Sequence, residues 1–219
     1  MAQAGEFTKR AFLNGKLDLT QAQTDTLCAF GQAVIEQNKV MNLTAITDPV
    51  QVAKLHLLDS LTLTRCLDLK GKRLIDVGCG AGFPGVPIAI ACPDTDVTLL
   101  DSLNKRVDWL NEVSAQLGLT GVRAIQGRAE EKALEKSMRD SFDLVTARAV
   151  ADLRLLSELC LPFVKVGGRF LSMKSVDSDQ ELDQAAHAIK LLGGRVRDVK
   201  DYAIPGTEVT HRLVIVEKV

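Results

Sequence analysis

The chain has 219 residues and a net charge of −1 at pH 7, and its composition is 46% hydrophobic, 25% charged and 4% aromatic residues. This length predicts one globular domain with an extension and excludes two large domains. The near-neutral charge excludes a protein that coats nucleic acid indiscriminately, because such binding depends on neutralising phosphates. The sequence contains no apolar run near the ~20 residues of a membrane helix, and its first residues lack a signal-peptide core.

The five cysteines are odd in number and scattered, without the spacing of metal ligands. This usage predicts reduced, mostly buried thiols and no metal site, as is typical of cytoplasmic proteins. We expect a cytoplasmic protein. We also expect that it is a monomer and has no membrane partner.

The N-terminal third of the chain predicts two helices, Leu19–Glu36 and Pro49–Leu67. Asp48 is the expected N-cap of the second helix, and the proline after it suits a first helical turn. We interpret residues 19–72 as a helical cap on the domain that follows. Residues 1–18 are interpreted as an extra, fused segment that is dispensable.

From residue 73 onward, apolar strand-like runs alternate with amphipathic segments, which predicts βαβ units around a parallel sheet. The predicted strands are Arg73–Val77, Val97–Leu100, Val122–Ile125, Phe142–Thr146, Arg169–Met173, Arg195–Tyr202 and Arg212–Val216. The predicted helices are Val86–Ala91, Lys105–Leu117, Glu130–Met138, Leu153–Phe163 and Ser178–Leu192. The last two strands should form an antiparallel hairpin, because only a short loop separates them. Residues 73–219 thus predict an α/β fold, with a seven-stranded, mostly parallel sheet and helices on both faces.

The most informative segment follows the first predicted strand, where glycines occupy alternate positions after an acid. It reads Asp76-Val77-Gly78-Cys79-Gly80-Ala81-Gly82-Phe83-Pro84-Gly85. Glycine lets the backbone adopt positive φ and approach a ligand that a Cβ would push away. The next predicted strand is followed by Asp101, whose carboxylate can accept both hydroxyls of a ribose. The pattern indicates an adenosine-containing cofactor.

Three interpretations of this loop are open. A glycine-rich turn without a ligand is disfavoured by four glycines within eight residues. A dinucleotide would match the Gly-x-Gly-x-x-Gly spacing that starts at Gly80. However, Pro84 and Pro87 stand where the helix should present free N–H groups to a pyrophosphate. S-adenosylmethionine contains no phosphate and requires close backbone approach and an acid for its ribose, so the pattern fits it best.

Residues after the third and fourth predicted strands extend the expected ligand edge. Gln126–Glu130 follows the third strand, where it can contact an adenine ring. Arg148 follows the fourth strand, at the carboxyl edge where open α/β sheets bind ligands. We interpret Arg148 as a partner of a methionine carboxylate or a substrate phosphate, with a solvated arginine as the alternative.

Several strings are more specific than the glycine loop. They are Asn38-Lys39-x-x-Asn42-Leu43-Thr44-Ala45-Ile46, His56-Leu57-Leu58-Asp59-Ser60, Phe83-Pro84-Gly85-Val86-Pro87, Leu99-Leu100-Asp101-Ser102-Leu103-x-Lys105-Arg106, Gly127-Arg128-Ala129-Glu130 and Thr146-Ala147-Arg148-Ala149. With these strings the chain resembles the ribosomal RNA small-subunit methyltransferase G family (RsmG, also called GidB). Two positions depart from that family's usual pattern. Gln37 replaces a tryptophan, and His211-Arg212 reverses an arginine–histidine pair.

The resemblance implies a Rossmann-like class I methyltransferase. The implied reaction moves a methyl group from S-adenosylmethionine to the seven-position nitrogen of one guanosine in small-subunit (16S) ribosomal RNA. The expected cofactor-binding residues are Gly78, Gly80, Phe83, Asp101, Ser102, Ala129, Glu130 and Arg148. Because the target nitrogen has a free lone pair, no general base is required, and we assign no catalytic residue.

Contacts to the RNA, or to an assembled 30S particle, should come from basic groups near the same edge and from the cap. The candidates are Asn42, His56, Lys105, Arg106 and Lys174, with Arg123, Arg128 and Lys165 as further basic residues. A lone surface lysine is more often simply solvated, so the prediction depends on the cluster near the cofactor edge.

Two other functions are alternatives. An NAD-dependent oxidoreductase would use the same loop, but the one tyrosine of the chain, Tyr202, is not part of a Tyr-x-x-x-Lys relay. A non-catalytic RNA-binding assembly factor would keep the fold with an inactive pocket. Separately, Gly5–Gln23 resembles a segment of the tRNA-modification GTPase MnmE. Without a GxxxxGK[ST] phosphate loop, GTPase activity is not expected.

Overall fold

The computed structural model describes residues 18–148 and 151–219, so almost all of the predicted N-terminal segment lies outside it. The helices are α1 (Gln21–Met41), α2 (Pro49–Val52), a π-helical turn (Ala53–Leu58), α3 (Asp59–Cys66), α4 (Gly85–Ala91), α5 (Asn104–Gln116), α6 (Ala129–Lys132), α7 (Leu153–Cys160), a 3-10 turn (Leu161–Phe163) and α8 (Asp179–Leu191). The strands are β1 (Arg73–Val77), β2 (Asp96–Asp101), β3 (Val122–Gln126), β4 (Phe142–Arg148), β5 (Val164–Ser175), β6 (Gly194–Ala203) and β7 (Thr210–Lys218). Within the described ranges, none of the helices combines the length and the apolar character needed to cross a membrane.

All seven strands form one sheet in the order β3-β2-β1-β4-β5-β7-β6. Strands β3, β2, β1, β4 and β5 are parallel, and β7 runs antiparallel to both β5 and β6. The predicted fold class and the terminal hairpin are therefore confirmed. In register, Asp101 lies beside Gln126, and Arg148 lies beside Met173. The carboxyl ends of the parallel strands thus form one edge that carries the expected ligand residues.

Helices cover both faces of the sheet. On one face, Phe30 of α1, Val86 of α4 and Leu110 of α5 are fully buried in one apolar cluster. On the other face, Leu156 of α7 and Ile189 of α8 belong to a second cluster. Burying a side chain of this size contributes about 1.5–3 kcal/mol. Because α1 shares its cluster with α4 and α5, the cap packs as part of the main core.

The first cap helix is anchored at its start. The Thr20 hydroxyl accepts from the backbone N–H of Gln23 at 3.2 Å, and the Gln23 side chain accepts from the backbone N–H of Thr20 at 2.9 Å. This capping box satisfies backbone donors that a helix start otherwise leaves open. Nε2 of Gln23 also donates to the carbonyls of Ile90 and Ala91, at 3.1 and 2.9 Å. The same residue therefore caps α1 and attaches it to the last turn of α4.

The second cap helix begins as predicted, since Asp48 accepts from the N–H of Gln51 at 2.9 Å. The prediction of a helix over Glu130–Met138 is wrong, because α6 ends at Lys132 and turns follow. The buried residues Ala133 and Met138 are five positions apart, and a regular helix would place them on different faces. A series of tight turns brings both into the core.

Candidate cofactor and substrate site

The glycine loop after β1 folds back onto the end of β2. Gly80 has φ +55° and donates its N–H to Oδ2 of Asp101 at 2.9 Å. Gly85 is enclosed, because a Cβ there would lie 2.3 Å from Leu99 and 3.0 Å from Oδ2 of Asp76. The loop therefore requires glycine both for its conformation and for its close packing.

Asp101 holds the loops on both sides of it. Besides Gly80, its carboxylate accepts from the N–H of Leu103 at 2.9 Å, and Arg106 lies 3.6 Å away. Each carboxylate oxygen has two acceptor sites, so Asp101 can still accept hydroxyl donors. The Asp101 side chain is buried yet lines a cavity, so its carboxylate is accessible to a polar ligand in that cavity.

Two adjoining cavities open along the carboxyl edge and share Gly78, Asp101 and Ser102. We name them after the ligand parts expected there from the sequence: the larger one, about 430 Å³, is the cofactor cavity, and the smaller one, about 250 Å³, is the adenine cavity. The cofactor cavity is lined by Leu43, Thr44, His56, Gly78, Cys79, Gly80, Ala81, Phe83, Asp101, Ser102, Arg106 and Arg148. The adenine cavity is lined by Val77, Gly78, Leu100, Asp101, Ser102, Gly127, Arg128, Ala129, Glu130 and Leu159. Together they contain all eight predicted cofactor-binding residues.

The cap covers the cofactor cavity with the loop after α1. Oδ1 of Asn38 accepts from the N–H groups of Leu43 and Thr44, at 2.6 and 2.9 Å. The Thr44 hydroxyl accepts from the N–H of Ile46 at 3.1 Å and contacts Nε2 of His56 at 2.8 Å. Asn38 thus fixes the loop that brings Leu43 and Thr44 into the cavity wall.

Arg148, at the end of β4, lines both the cofactor cavity and a further cavity beside β7. Its Nη1 donates to Oδ2 of Asp59 at 3.0 Å and to the carbonyl of Leu55 at 3.3 Å. Its Nη2 donates to Nδ1 of His56 at 3.1 Å, and the guanidinium lies 5.2 Å from the centre of the Phe83 ring. A guanidinium has five N–H donors. Two of them, one on Nε and one on Nη2, have no acceptor within the described ranges.

His56 is a neutral side chain with a defined tautomer. Because an arginine can only donate, Nδ1 of His56 must accept from Arg148, and its proton is then on Nε2, facing Thr44. Burial and the charge of Arg148 lower the pKa of His56 to about 4. The ring stacks on Phe83 with centroids 4.7 Å apart. His56 therefore contributes a flat, uncharged wall to the cavity.

Asp59 joins three parts of the fold and is fully buried. It accepts from Arg148 on β4, from the hydroxyl of Tyr202 on β6 at 2.8 Å and from Nδ1 of His211 on β7 at 3.0 Å. Burial by itself would raise the pKa of Asp59, but the His211 hydrogen bond and the Arg148 charge outweigh it and lower that pKa. Asp59 is therefore an ionised carboxylate that holds the cap, the sheet and the hairpin together.

The predicted RNA contacts lie in different places. Asn42 is exposed at the end of α1 with φ +49°, and Lys105 is exposed at the start of α5. Arg106 lies in the wall of the cofactor cavity beside Asp101. Lys174 is mostly buried and pairs with Glu181 at 2.7 Å. Of the five predicted RNA contacts, His56 and Arg106 line the cofactor cavity, whereas Asn42, Lys105 and Lys174 do not.

The further basic candidates are less favourably placed. Lys165 lies at the start of β5 and pairs with Asp143, so it is at the amino end of the strands, away from the cavities. The Arg123 side chain donates to Thr98 on β2 rather than reaching the edge. Arg128 borders the adenine cavity but is engaged with Glu130 at 2.6 Å.

Sequence reasoning did not identify the roles of Asn38, Thr44, Asp59 and Tyr202. Asn38, Thr44 and Asp59 lie inside strings that carried the family resemblance, and an acid within a leucine-rich helix is a usable signal of a buried partner. Tyr202 gave no such signal, because its partner is 143 positions away in the chain.

The start of α4 presents no free N–H groups to a phosphate. Gly85 donates to Asp76 at 2.9 Å, Val86 donates to the carbonyl of Gly82 at 2.8 Å, and Pro87 has no N–H. A pyrophosphate would require such donors. The loop thus lacks the anion site that a dinucleotide needs, as the two prolines indicate.

Asp76 and His56 have pKa values displaced in opposite directions. Burial raises the pKa of Asp76 to about 7, against the lowering effect of the Gly85 hydrogen bond. Between about pH 4 and 7, Asp76 keeps a proton that the unfolded chain has lost, so its contribution to stability falls as pH rises. His56 lacks a proton that the unfolded chain carries below about pH 6.5, so its contribution falls as pH drops towards 4.

We expect these two effects to cancel largely in the unaltered protein and to separate in variants. Between about pH 6.5 and 4.5, Asp76→Asn should lose stability on acidification, whereas His56→Gln should gain it. Each slope should differ from that of the unaltered protein by up to about 1.4 kcal/mol per pH unit. Urea unfolding at a series of pH values measures this, with the exposed His187→Gln as control. Equal slopes in the two variants would contradict the opposite displacements.

Solved structures of other proteins show which known fold the chain shares. Geranyl diphosphate C-methyltransferase from Streptomyces coelicolor A3(2) superposes with a TM-score of 0.61 at 13% identity, over 91% of this chain and 98% of that one. Precorrin-6y C5,15-methyltransferase from Geobacter metallireducens GS-15 gives 0.54 at 13% identity, over 82% and 92%. At such identities the likeness shows the fold alone, which is the Rossmann-like class I methyltransferase fold.

Sequence comparison is more specific. The family model described as GidB, rRNA small subunit methyltransferase G, matches residues 23–210. Two proteins named Ribosomal RNA small subunit methyltransferase G, from Clostridium beijerinckii and Desulforamulus reducens, are 46% and 45% identical to this chain over 204 and 212 residues. These alignments cover 93% and 96% of this chain and 85% and 88% of the relatives. The chain therefore belongs to the rRNA small subunit methyltransferase G family, and the predicted resemblance is confirmed.

Proposed function

We propose that this protein transfers the methyl group of S-adenosylmethionine to N7 of a guanosine in small-subunit (16S) ribosomal RNA. The observation that carries the proposal is the pair of cavities that share Asp101 at the carboxyl edge, in a chain of this family. The cavities fall within the usual size range of ligand sites or just below it.

The polar groups on the cavity walls, both donors and acceptors, fit S-adenosylmethionine. The adenine ring would lie beside Ala129 and Glu130, and Asp101 would accept the ribose hydroxyls. The methionine part would extend past Gly80 in the cofactor cavity. Its carboxylate would take the two open N–H donors of Arg148, since paired N–H groups match a carboxylate well.

The reaction asks for positioning rather than proton transfer. The sulfonium of bound S-adenosylmethionine supplies a methyl group that is already activated, and N7 of guanine supplies the electron pair. His56, Phe83 and the Thr44 loop line the cofactor cavity, so they would hold the methyl donor in place for an in-line approach of N7 and exclude water. Asp59 compensates the charge of Arg148, so a purine that becomes cationic does not face an unopposed positive group.

Methyl transfer and binding measurements test this function together. Isothermal titration should show binding of S-adenosylmethionine and none of NAD. Labelled cofactor incubated with small subunits that lack the modification should yield 7-methylguanosine at one mapped position. Cofactor binding without any transfer to RNA would instead support the assembly-factor alternative.

Lys174→Ala should weaken RNA methylation and leave the affinity for S-adenosylmethionine within about a factor of two, a change of at most about 0.4 kcal/mol. Lys174 lies outside the cofactor cavity, but its Nζ donates to the carbonyl of Ala151 at 2.9 Å and pairs with Glu181. Removing the Lys174 side chain should therefore disturb the part of the carboxyl edge where we expect the RNA to bind. Steady-state methylation and calorimetry measure the two effects, with the exposed Lys190→Ala as control. A loss of cofactor binding would show that Lys174 serves the cofactor instead.

We also propose that the protein acts in the cytoplasm as a monomer, on small-subunit RNA or on the 30S particle. Residues 19–72 would serve as its cap and residues 73–219 as its methyltransferase domain, with residues 1–18 as an added segment. The apolar cluster shared by α1, α4 and α5 supports a cap that folds with the domain.

A further inference from the structure

A further cavity of about 470 Å³ lies between the cap and the strands β5 and β7. It is lined by Ile46, Leu55, His56, Asp59, Arg148, Met173, Lys174, Ser175, Val209 and His211. We call it the hairpin cavity. His56 and Arg148 line both this cavity and the cofactor cavity, so the two cavities adjoin at these two side chains.

We propose that the hairpin cavity receives the base of the target guanosine and that His211 binds its Watson–Crick edge. This inference rests on the proposed function and adds the place and the polar contact by which the base is recognised. The walls of the hairpin cavity combine four apolar side chains, which suit the faces of a purine, with six polar or charged ones, which can recognise its edges.

The hydrogen bond to Asp59 determines what His211 can offer. A carboxylate only accepts, so Nδ1 of His211 carries a proton and donates it at 3.0 Å. In the neutral ring, Nε2 is then an acceptor. It has no hydrogen-bond partner among the residues that the structure describes, and the ring borders the hairpin cavity. Asp59 thereby holds an acceptor in place for a donor that enters.

Guanine offers donors on one edge and the reacting nitrogen on another. N1–H and the exocyclic amine lie on the Watson–Crick edge, whereas N7 lies on the neighbouring Hoogsteen edge, which meets the first edge at O6. A base that donates N1–H to His211 would turn this neighbouring edge towards His56 and Arg148, the two side chains at which the hairpin cavity adjoins the cofactor cavity. Adenine has no N1–H and so cannot make the same bond. Such an arrangement selects guanine without a general base.

Filling the hairpin cavity tests its role. Val209 lines this cavity but not the cofactor cavity and is 38% exposed, so a larger side chain can be accommodated there without unfolding the protein. Val209→Trp should lower methylation of small subunits at least tenfold and leave S-adenosylmethionine binding within twofold. Val166→Trp, at an exposed position near the start of β5, is the matched control. Methylation by Val209→Trp equal to that of the control would overturn the proposal.

Replacing His211 tests the contact itself. His211→Phe keeps the ring shape but removes the acceptor, and His211→Gln restores an acceptor together with a donor for Asp59. On 16S transcripts with guanosine or adenosine at the mapped position, His211→Phe should reduce the preference for guanosine about tenfold, the size expected for one hydrogen bond. His211→Gln should recover part of it, and the exposed His187→Phe should behave as the unaltered protein does.

The outcomes separate this inference from the proposed function. If the unaltered protein forms 7-methylguanosine but His211→Phe keeps its full preference for guanosine, the base is not recognised by His211. If the unaltered protein binds S-adenosylmethionine and methylates no guanosine, the proposed function itself fails.

Discussion

Asp59→Ala should lower the free energy of unfolding by about 3–5 kcal/mol, because it leaves a buried guanidinium without its counter-charge. Arg148 would lose its carboxylate partner at 3.0 Å, and Tyr202 and His211 would lose their acceptor. Three separate parts of the fold meet at this one group, so the effect should exceed that of an exposed ion pair. Urea unfolding at pH 7.5 measures the change.

Two variants make this result specific. Asp59→Asn keeps the shape but presents an amide N–H₂ to groups that also donate, so it should recover only part of the loss. Asp183→Ala, at an exposed position of α8, should change stability by less than about 0.5 kcal/mol. If Asp59→Ala were as stable as Asp183→Ala, the buried carboxylate would not hold the cap, sheet and hairpin together.

Asp101→Ala should weaken binding of S-adenosylmethionine by about 1.5–3 kcal/mol, which is roughly 10- to 150-fold in Kd. The proposed ribose contact involves a charged acceptor, and such hydrogen bonds are stronger than neutral ones. The variant would also free the N–H groups of Gly80 and Leu103, so the glycine loop should lose part of its support.

Calorimetry with S-adenosylmethionine measures the loss, and Asp96→Ala serves as the control. Asp96 lies at the opposite end of the same strand, where its carboxylate makes a solvent-exposed pair with Arg73 at 3.6 Å. The control should bind with unchanged affinity. Equal affinities of the two variants would exclude Asp101 from the ribose site.

The sequence predicted most of the fold because its signals are local. Apolar runs followed by glycine or acid mark the ends of β1 and β2, and each predicted strand is present. The bounds of β1 are those predicted, and five other strands extend beyond their predicted bounds by at most two residues at either end. Only β5 differs more, because it begins five residues earlier than predicted. The failed helix after Glu130 has a local cause too. The buried residues Ala133 and Met138 follow neither helical nor strand spacing, and no glycine or proline stands between Lys132 and Met138. The sequence therefore carries no local signal that α6 ends at Lys132.

The network behind the cofactor cavity could not be predicted in the same way. The contacts of Asp59 with Arg148 and with His211 join positions 89 and 152 residues apart, and no periodic pattern connects them. The adjacent residues His211 and Arg212 show this, because their partners lie in different parts of the chain. The histidine bonds Asp59 beneath the hairpin, whereas the arginine pairs with Asp201 at 2.7 Å and with Asp179 on the other side of the strand.

The meeting of cap, sheet and hairpin at a single carboxylate also limits how this protein can change over generations. A substitution at Asp59 alters the surroundings of Arg148 and His211 at the same moment, so each of these positions is constrained by residues encoded far away. A hybrid that took its first seventy residues from a distant homologue would place a foreign helix against native partners. If the homologue has a different residue at position 59, such a hybrid should remain active only when its residues at positions 148, 202 and 211 are transferred as well.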